Sequence, residues 1–288
     1  MVNFLRSGIF LIFLLLRSVS VSAFQSTQLS FLPAAKSQSK CQNGLRHREN
    51  ALIGPVTLCT YYRPLTQLHL SSTDEDKLFD VRTTLALIGG QSALIGIAVL
   101  ASLIFKTPNY GFGPGISFGA SALGDGILKT MPLAVAAYLL DFMEKNVPAL
   151  QDVTKATHRT VLALLGGKFK PVTALMVSLA LGLAAGFGEE MIFRGILQYE
   201  LESRTSQAFS LGSSALIFGL LHAVTPAYAF LATLAGVYFG WIYQAAGNLA
   251  VPIATHALYD VGALFYAHWT VSRMTEEEQT EISLWEPK

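Results

Sequence analysis

Six apolar stretches, joined mostly by short connections, constrain this chain more than anything else in it. They run over residues 83–105, 116–140, 172–197, 208–223, 228–245 and 250–269. A helix needs about 20 apolar residues to cross a hydrocarbon core of ~30 Å, so the expected fold class is all-α. The architecture is a polytopic transmembrane helical bundle with about six spans after a presequence. Charged residues make up 14% of the chain and hydrophobic residues 52%, which is too little polar surface for a soluble globule and too apolar for a disordered chain. A formal net charge of +1, with no basic stripe and no zinc-finger spacing, gives no support to nucleic acid as a partner.

Basic residues orient the spans. Lys77, Arg82, Lys145, Lys155, Arg159, Lys168, Lys170, Arg273 and Lys288 fall on one side, and only Lys106 and Arg204 on the other. The positive-inside rule therefore places both ends of the mature chain on the cytoplasm-like face. One connection is long, about 141–171. It contains the apolar turn 161–165, and its expected form is an amphipathic helix lying partly along the interface. Gly182 with Gly186, and Gly236 with Gly240, are spaced so that helices can approach closely.

The first seventy residues differ in character. They hold seven Lys/Arg against a single acid, Glu49, and both cysteines, Cys41 and Cys59. A short apolar run over 8–16 and the small residues Val21, Ser22 and Ala23 read as a signal peptide over 1–23. Residues 24–70, rich in Ser, Thr and Gln, read as a transit peptide or a disordered linker. The Ala23–Phe24 junction resembles that of bipartite plastid presequences in algae with secondary plastids. The expected location is therefore a plastid membrane of such an alga, with an endomembrane location as the alternative. The transmembrane domain is expected over 71–288, with its core motifs within 120–270.

Ionisable side chains inside a span are costly, so each needs a partner or a task. Asp125 and Lys129 are four residues apart and are expected to pair. Glu190 and Arg194 share one helix face and can neutralise each other. Glu189 lies about 100° round the helix and has no partner in its own span, which leaves a carboxylate available as a general base. The fourth stretch supplies His222, with Phe218 one turn below it. The sixth supplies His256 and Asp260, again one turn apart. Counting ~1.5 Å per residue places Glu189 about 15 Å, and His256 about 10 Å, from the nearer ends of their spans. His222 comes out some 25 Å along its span, so the fourth stretch must begin well outside the bilayer or tilt.

Taken in order, Glu189–Glu190…Arg194, Phe218…His222 and His256…Asp260 resemble the three-motif signature of the Abi/CPBP family. That family includes the type II CAAX prenyl endopeptidases, bacteriocin-processing and self-immunity proteins, and plastid members. The resemblance implies an intramembrane endopeptidase in which Glu189 and His222 activate water on the scissile carbonyl. It makes Glu190 and Arg194 a structural pair, and His256 and Asp260 the oxyanion stabilisers, with Phe218 as motif support. The well-studied prenyl endopeptidases have Asn where this chain has Asp260. An ionised Asp cannot donate to an oxyanion, so Asp260 either carries a proton or serves by orienting His256 and keeping it cationic.

Two alternatives accompany this reading. Glu189, His222 and His256 could bind a catalytic zinc with one position open, although no HExxH spacing supports it; the favoured expectation is no cofactor. A non-proteolytic membrane adaptor with the same fold, stabilising plastid proteins, is the second functional class. The expected partners are a membrane-associated protein or peptide substrate and the lipid bilayer.

Overall fold

The structure, a computed structural model, describes residues 80–287. The stretches expected to be a signal peptide (1–23) and a transit peptide or linker (24–70), and both cysteines, lie outside the described residues. Among the described residues every regular element is helical. The long helices are α1 (Val81–Phe105), α2 (Ala120–Glu144), α3 (Pro148–Leu165) and α4, which begins at Pro171 and runs continuously to Glu202. They are followed by α5 (Gln207–Leu221), α6 (Pro226–Ala246), α7 (Ala250–Val271) and the short α8 (Glu276–Leu284). Four of these helices, α1, α2, α4 and α6, are long and apolar enough to cross a membrane. Leucine, phenylalanine and methionine side chains line their outer faces, as a lipid solvent requires.

Each of the six apolar stretches is a helix, but their ends differ from the expectation in a way that matters. The 32 residues of α4 extend five residues past 197, a length of about 48 Å. In contrast, α5 has 15 residues, about 22 Å, which is short of a bilayer. The two arms α5 and α6 lie antiparallel. Gly236 abuts Ala215 and Gly219 abuts Ala229, while Gln244 Nε2 donates to the Gln207 carbonyl at 3.2 Å. They therefore form a hairpin that enters beside the far end of α4 and returns to that end.

The other end of the bundle is closed by α3. Its last turn, Val161 to Leu165, is 0–1% exposed and packs with Ala174, Leu181, Ala267 and Val271 from α4 and α7. The backbone there is tied in as well: Asp80 N–H donates to Ala163 O at 3.0 Å and the Thr84 hydroxyl to Leu164 O at 2.9 Å. The apolar turn of α3 is therefore buried against the bundle. Beside it, the backbone N–H of Lys170, just before α4, donates to His268 Nε2 near the end of α7 at 3.1 Å. The amide of Gln279 on α8 reaches Gly167 O at 3.1 Å and Val271 O at 3.0 Å. Both ends of the described chain thus gather at the end that carries most of the basic residues.

The Asp125–Lys129 pair is not formed. Asp125 is exposed on α2 and Lys129 only half-buried, and among the described residues no ion pair joins them. The spacing permits such a pair, but the structure does not form it.

Candidate active site

Glycines bring the helices together just before the acidic residues of α4. A Cβ on Gly186 would lie 3.0 Å from Ile253 O of α7, and one on Gly188 2.8 Å from Leu94 Cβ of α1. Glu189 and Glu190 follow directly, both buried. The next eight residues, Met191–Gln198, are wound as a π-helix, with Tyr199 N–H bonded to Arg194 O five residues back. Segments of this kind widen a helix locally and are common at functional sites. Within it Gly195 packs directly on the Gly111 carbonyl, which leaves no room for a side chain.

Glu190 and Arg194 are fully buried and paired at 3.0 Å. The second guanidinium nitrogen, Nη2, donates to Gly236 O of α6 at 2.8 Å. The rings of Phe218, Phe239 and Phe193 surround the guanidinium at 4.9, 5.5 and 5.8 Å, cation–π distances that suit a desolvated cation. Glu190 Oε1 also accepts from His256 Nδ1 at 2.8 Å.

Glu189 is placed differently. Its Oε2 is buried without a hydrogen bond, facing His222 Nε2 at 3.5 Å and His256 Nε2 at 4.0 Å. His222 caps the C-terminus of α5, and its Nδ1 lies 2.7 Å from Phe218 O. A carbonyl only accepts, so Nδ1 carries the proton and Nε2 is the atom turned toward Glu189. The ring of His256 is stacked on Phe239 at 4.6 Å and 16°. Asp260 Oδ2 lies 3.5 Å from His256 Nε2. Exposure divides the group: the side chains of Glu189 and His256 are 6% and 7% exposed, those of His222 and Asp260 30% and 29%. The first two form a floor and the second two a mouth.

The depth of His222 is resolved by the long α4. From Glu189 to Glu202 is 13 residues, about 20 Å, and from Gln207 to His222 is 15 residues, about 22 Å. The hairpin starts beyond the expected end of the third stretch and its apex arrives level with Glu189.

A family model described as type II CAAX prenyl endopeptidase Rce1-like matches residues 171–262. This stretch is an Rce1-like domain. It contains all of the converging side chains: Glu189, Glu190, Arg194, Phe218, His222, His256 and Asp260. No curated protein and no solved structure matches the chain.

Within the Rce1-like domain the sequence motifs identify the ionisable groups, and the structure brings all of them together. Two contributors carry no such signal. The Gly236 carbonyl is a backbone group in what reads as an ordinary helix-packing motif, and Phe239 is one phenylalanine among 18 in the chain. As for zinc, Glu189, His222 and His256 converge, but no group of three or more His, Cys, Asp or Glu among the described residues is arranged to hold a metal ion. One ring nitrogen of each histidine is engaged, His256 Nδ1 with Glu190 and His222 Nδ1 with Phe218 O, an arrangement compatible with a metal ligand as well as with a metal-free site.

Proposed function

We propose that the chain is an intramembrane endopeptidase that hydrolyses a peptide bond of a membrane-associated protein. The observation that carries this reading is Glu189 Oε2 facing His222 Nε2 at 3.5 Å, at the apex of a hairpin buried within an apolar bundle. A water held there donates one hydrogen to Glu189 and the other to His222 Nε2. As its oxygen attacks the scissile carbonyl, Glu189 takes the proton. The carbonyl oxygen becomes an oxyanion beside His256 Nε2. Collapse of the tetrahedral intermediate breaks the C–N bond, and Glu189 returns its proton to the leaving amine. The bond cleaved gains one water overall. Glu190 and Arg194 shape the floor, and no metal is required in this scheme. The N-terminal composition supports a plastid membrane as the location.

A second reading rests on Asp260. A carboxylate at the mouth, where an oxyanion would form, suits a binding protein as well as an enzyme. In that reading the chain is a membrane adaptor that stabilises other plastid proteins.

The test compares protein termini in membranes of a line lacking the protein, complemented with wild type or with Glu189→Gln. New termini found only with wild type establish proteolysis and name its substrates. Identical termini together with restored growth in both lines would make the protein an adaptor.

A further inference from the structure

His256 is the most enclosed imidazole of the site. Nδ1 faces Glu190 Oε1 at 2.8 Å, and that oxygen also accepts from Arg194 Nη1 at 3.0 Å. An oxygen accepting from a guanidinium is an ionised acceptor, so Nδ1 carries a hydrogen. Phe239 covers one ring face, and Phe218 meets the ring at 6.1 Å with its plane at 72°. Nε2 is directed at two further carboxylate oxygens, Asp260 Oδ2 at 3.5 Å and Glu189 Oε2 at 4.0 Å. A lone pair on Nε2 would point at both oxygens without a hydrogen between. A proton on Nε2 removes that conflict, and the stacked Phe239 ring favours the resulting cation.

Asp260 is one helical turn beyond His256 on α7, so its carboxylate is held on the same face. Around it stand Glu189 and Glu190 from α4, His222 from α5, Tyr228 from α6 and the adjacent Tyr259. Asp260 thus stands between two carboxylates and two imidazoles, and as an ionised carboxylate it can accept from His256 but cannot itself donate to an oxyanion.

We propose that Asp260 is a positioning residue that acts through His256: it holds a hydrogen on Nε2 and aims it into the mouth, so that His256 alone donates to the developing oxyanion. The inference rests on the endopeptidase reading for the oxyanion, but its core concerns the ring of His256 and is measurable without a substrate. When the scissile carbonyl becomes an oxyanion, Nε2–H turns from Asp260 to the stronger acceptor, and Asp260 takes the hydrogen bond back once the intermediate collapses. No proton is transferred to Asp260 in the cycle.

The experiment uses the full chain in lipid nanodiscs with histidine ring nitrogens labelled with 15N. His256 is assigned by the signals missing from His256→Gln. In wild type near neutral pH both ring nitrogens carry hydrogens, and in Asp260→Asn the Nε2 hydrogen is lost. An unchanged ring in Asp260→Asn overturns the proposal. Asp260→Ser replaces this variant if it does not accumulate. The second arm measures cleavage of a substrate found by the termini comparison. Asp260→Asn lowers kcat by about 10²-fold with KM within about twofold and with unchanged thermal stability. Asn matches Asp in shape and can donate, so wild-type or higher kcat in Asp260→Asn would make Asp260 itself the donor and sink the proposal. Absence of cleavage by wild type would instead count against the endopeptidase reading, and the ring measurement still decides the role of Asp260.

Discussion

Glu189 and Glu190 are consecutive residues of one helix, both buried, yet they belong to opposite halves of the site. Glu190 is held through one oxygen: Arg194 and His256 both donate to its Oε1 at 3.0 and 2.8 Å, its Oε2 is buried without a hydrogen bond, and three phenylalanines close over the arginine. The Oε2 of Glu189 meets only imidazole nitrogens, at 3.5 and 4.0 Å, and one of them belongs to the half-buried His222. The difference shows how a bilayer protein can keep a reactive carboxylate. One half of the polar cluster is tied together by a buried ion pair and charge-assisted hydrogen bonds, and it fixes the geometry. The other half is left short of partners, a state that costs stability and is retained where there is chemistry to perform.

The comparison can be broken from the ion-paired half first. Arg194→Ala strips the buried Glu190 of its guanidinium partner and leaves His256 alone to face it, and is expected to cost about 3–5 kcal/mol. Thermal unfolding in detergent, or simple loss of accumulation, measures it; a stable Arg194→Ala would contradict the assignment of that half as structural. Glu189→Gln should behave in the reverse way. Its activity falls by roughly 10²–10⁴-fold, while its melting temperature stays at or above that of wild type. His222→Gln tests the same half one step out, with a kcat loss of about 10²-fold and no loss of fold, since the hairpin is held by Gly219 and Gly236 rather than by the imidazole. Asp125→Asn is expected to be silent, within about ±0.5 kcal/mol, because Asp125 is exposed and unpaired among the described residues. Chelating divalent metal from purified protein should leave the cleavage rate unchanged, and a loss restored by added zinc would overturn the metal-free scheme.

Much of this was legible in the sequence, and the exceptions have physical causes. Apolar stretches of 16 and 26 residues both read as spans, because hydropathy measures composition and not direction. Only packing shows that α5 and α6 turn back at the level of Glu189 while α4 overruns its neighbours. The turn 161–165 is apolar in either location, so periodicity could not tell an interfacial helix from one buried against the bundle. The ionisable residues of the site stood out because a charge in an apolar span has so few innocent explanations. The Gly236 carbonyl could not stand out, since every residue has one; nor could Phe239, whose stacking on His256 depends on a hairpin that composition does not reveal. The same logic that found Glu190 and Arg194 at four-residue spacing also paired Asp125 with Lys129. Packing decides between the two cases: three phenylalanines enclose the first pair, whereas Asp125 faces outward from α2 and the second pair is not formed.

The most direct test is a side-by-side measurement of Glu189→Gln and Glu190→Gln in reconstituted protein, recording thermal unfolding and cleavage of the same substrate. The account predicts that Glu189→Gln melts like wild type and does not cleave, whereas Glu190→Gln melts well below it. Cleavage by Glu189→Gln at the wild-type rate, or equal stability of the two variants, would contradict it.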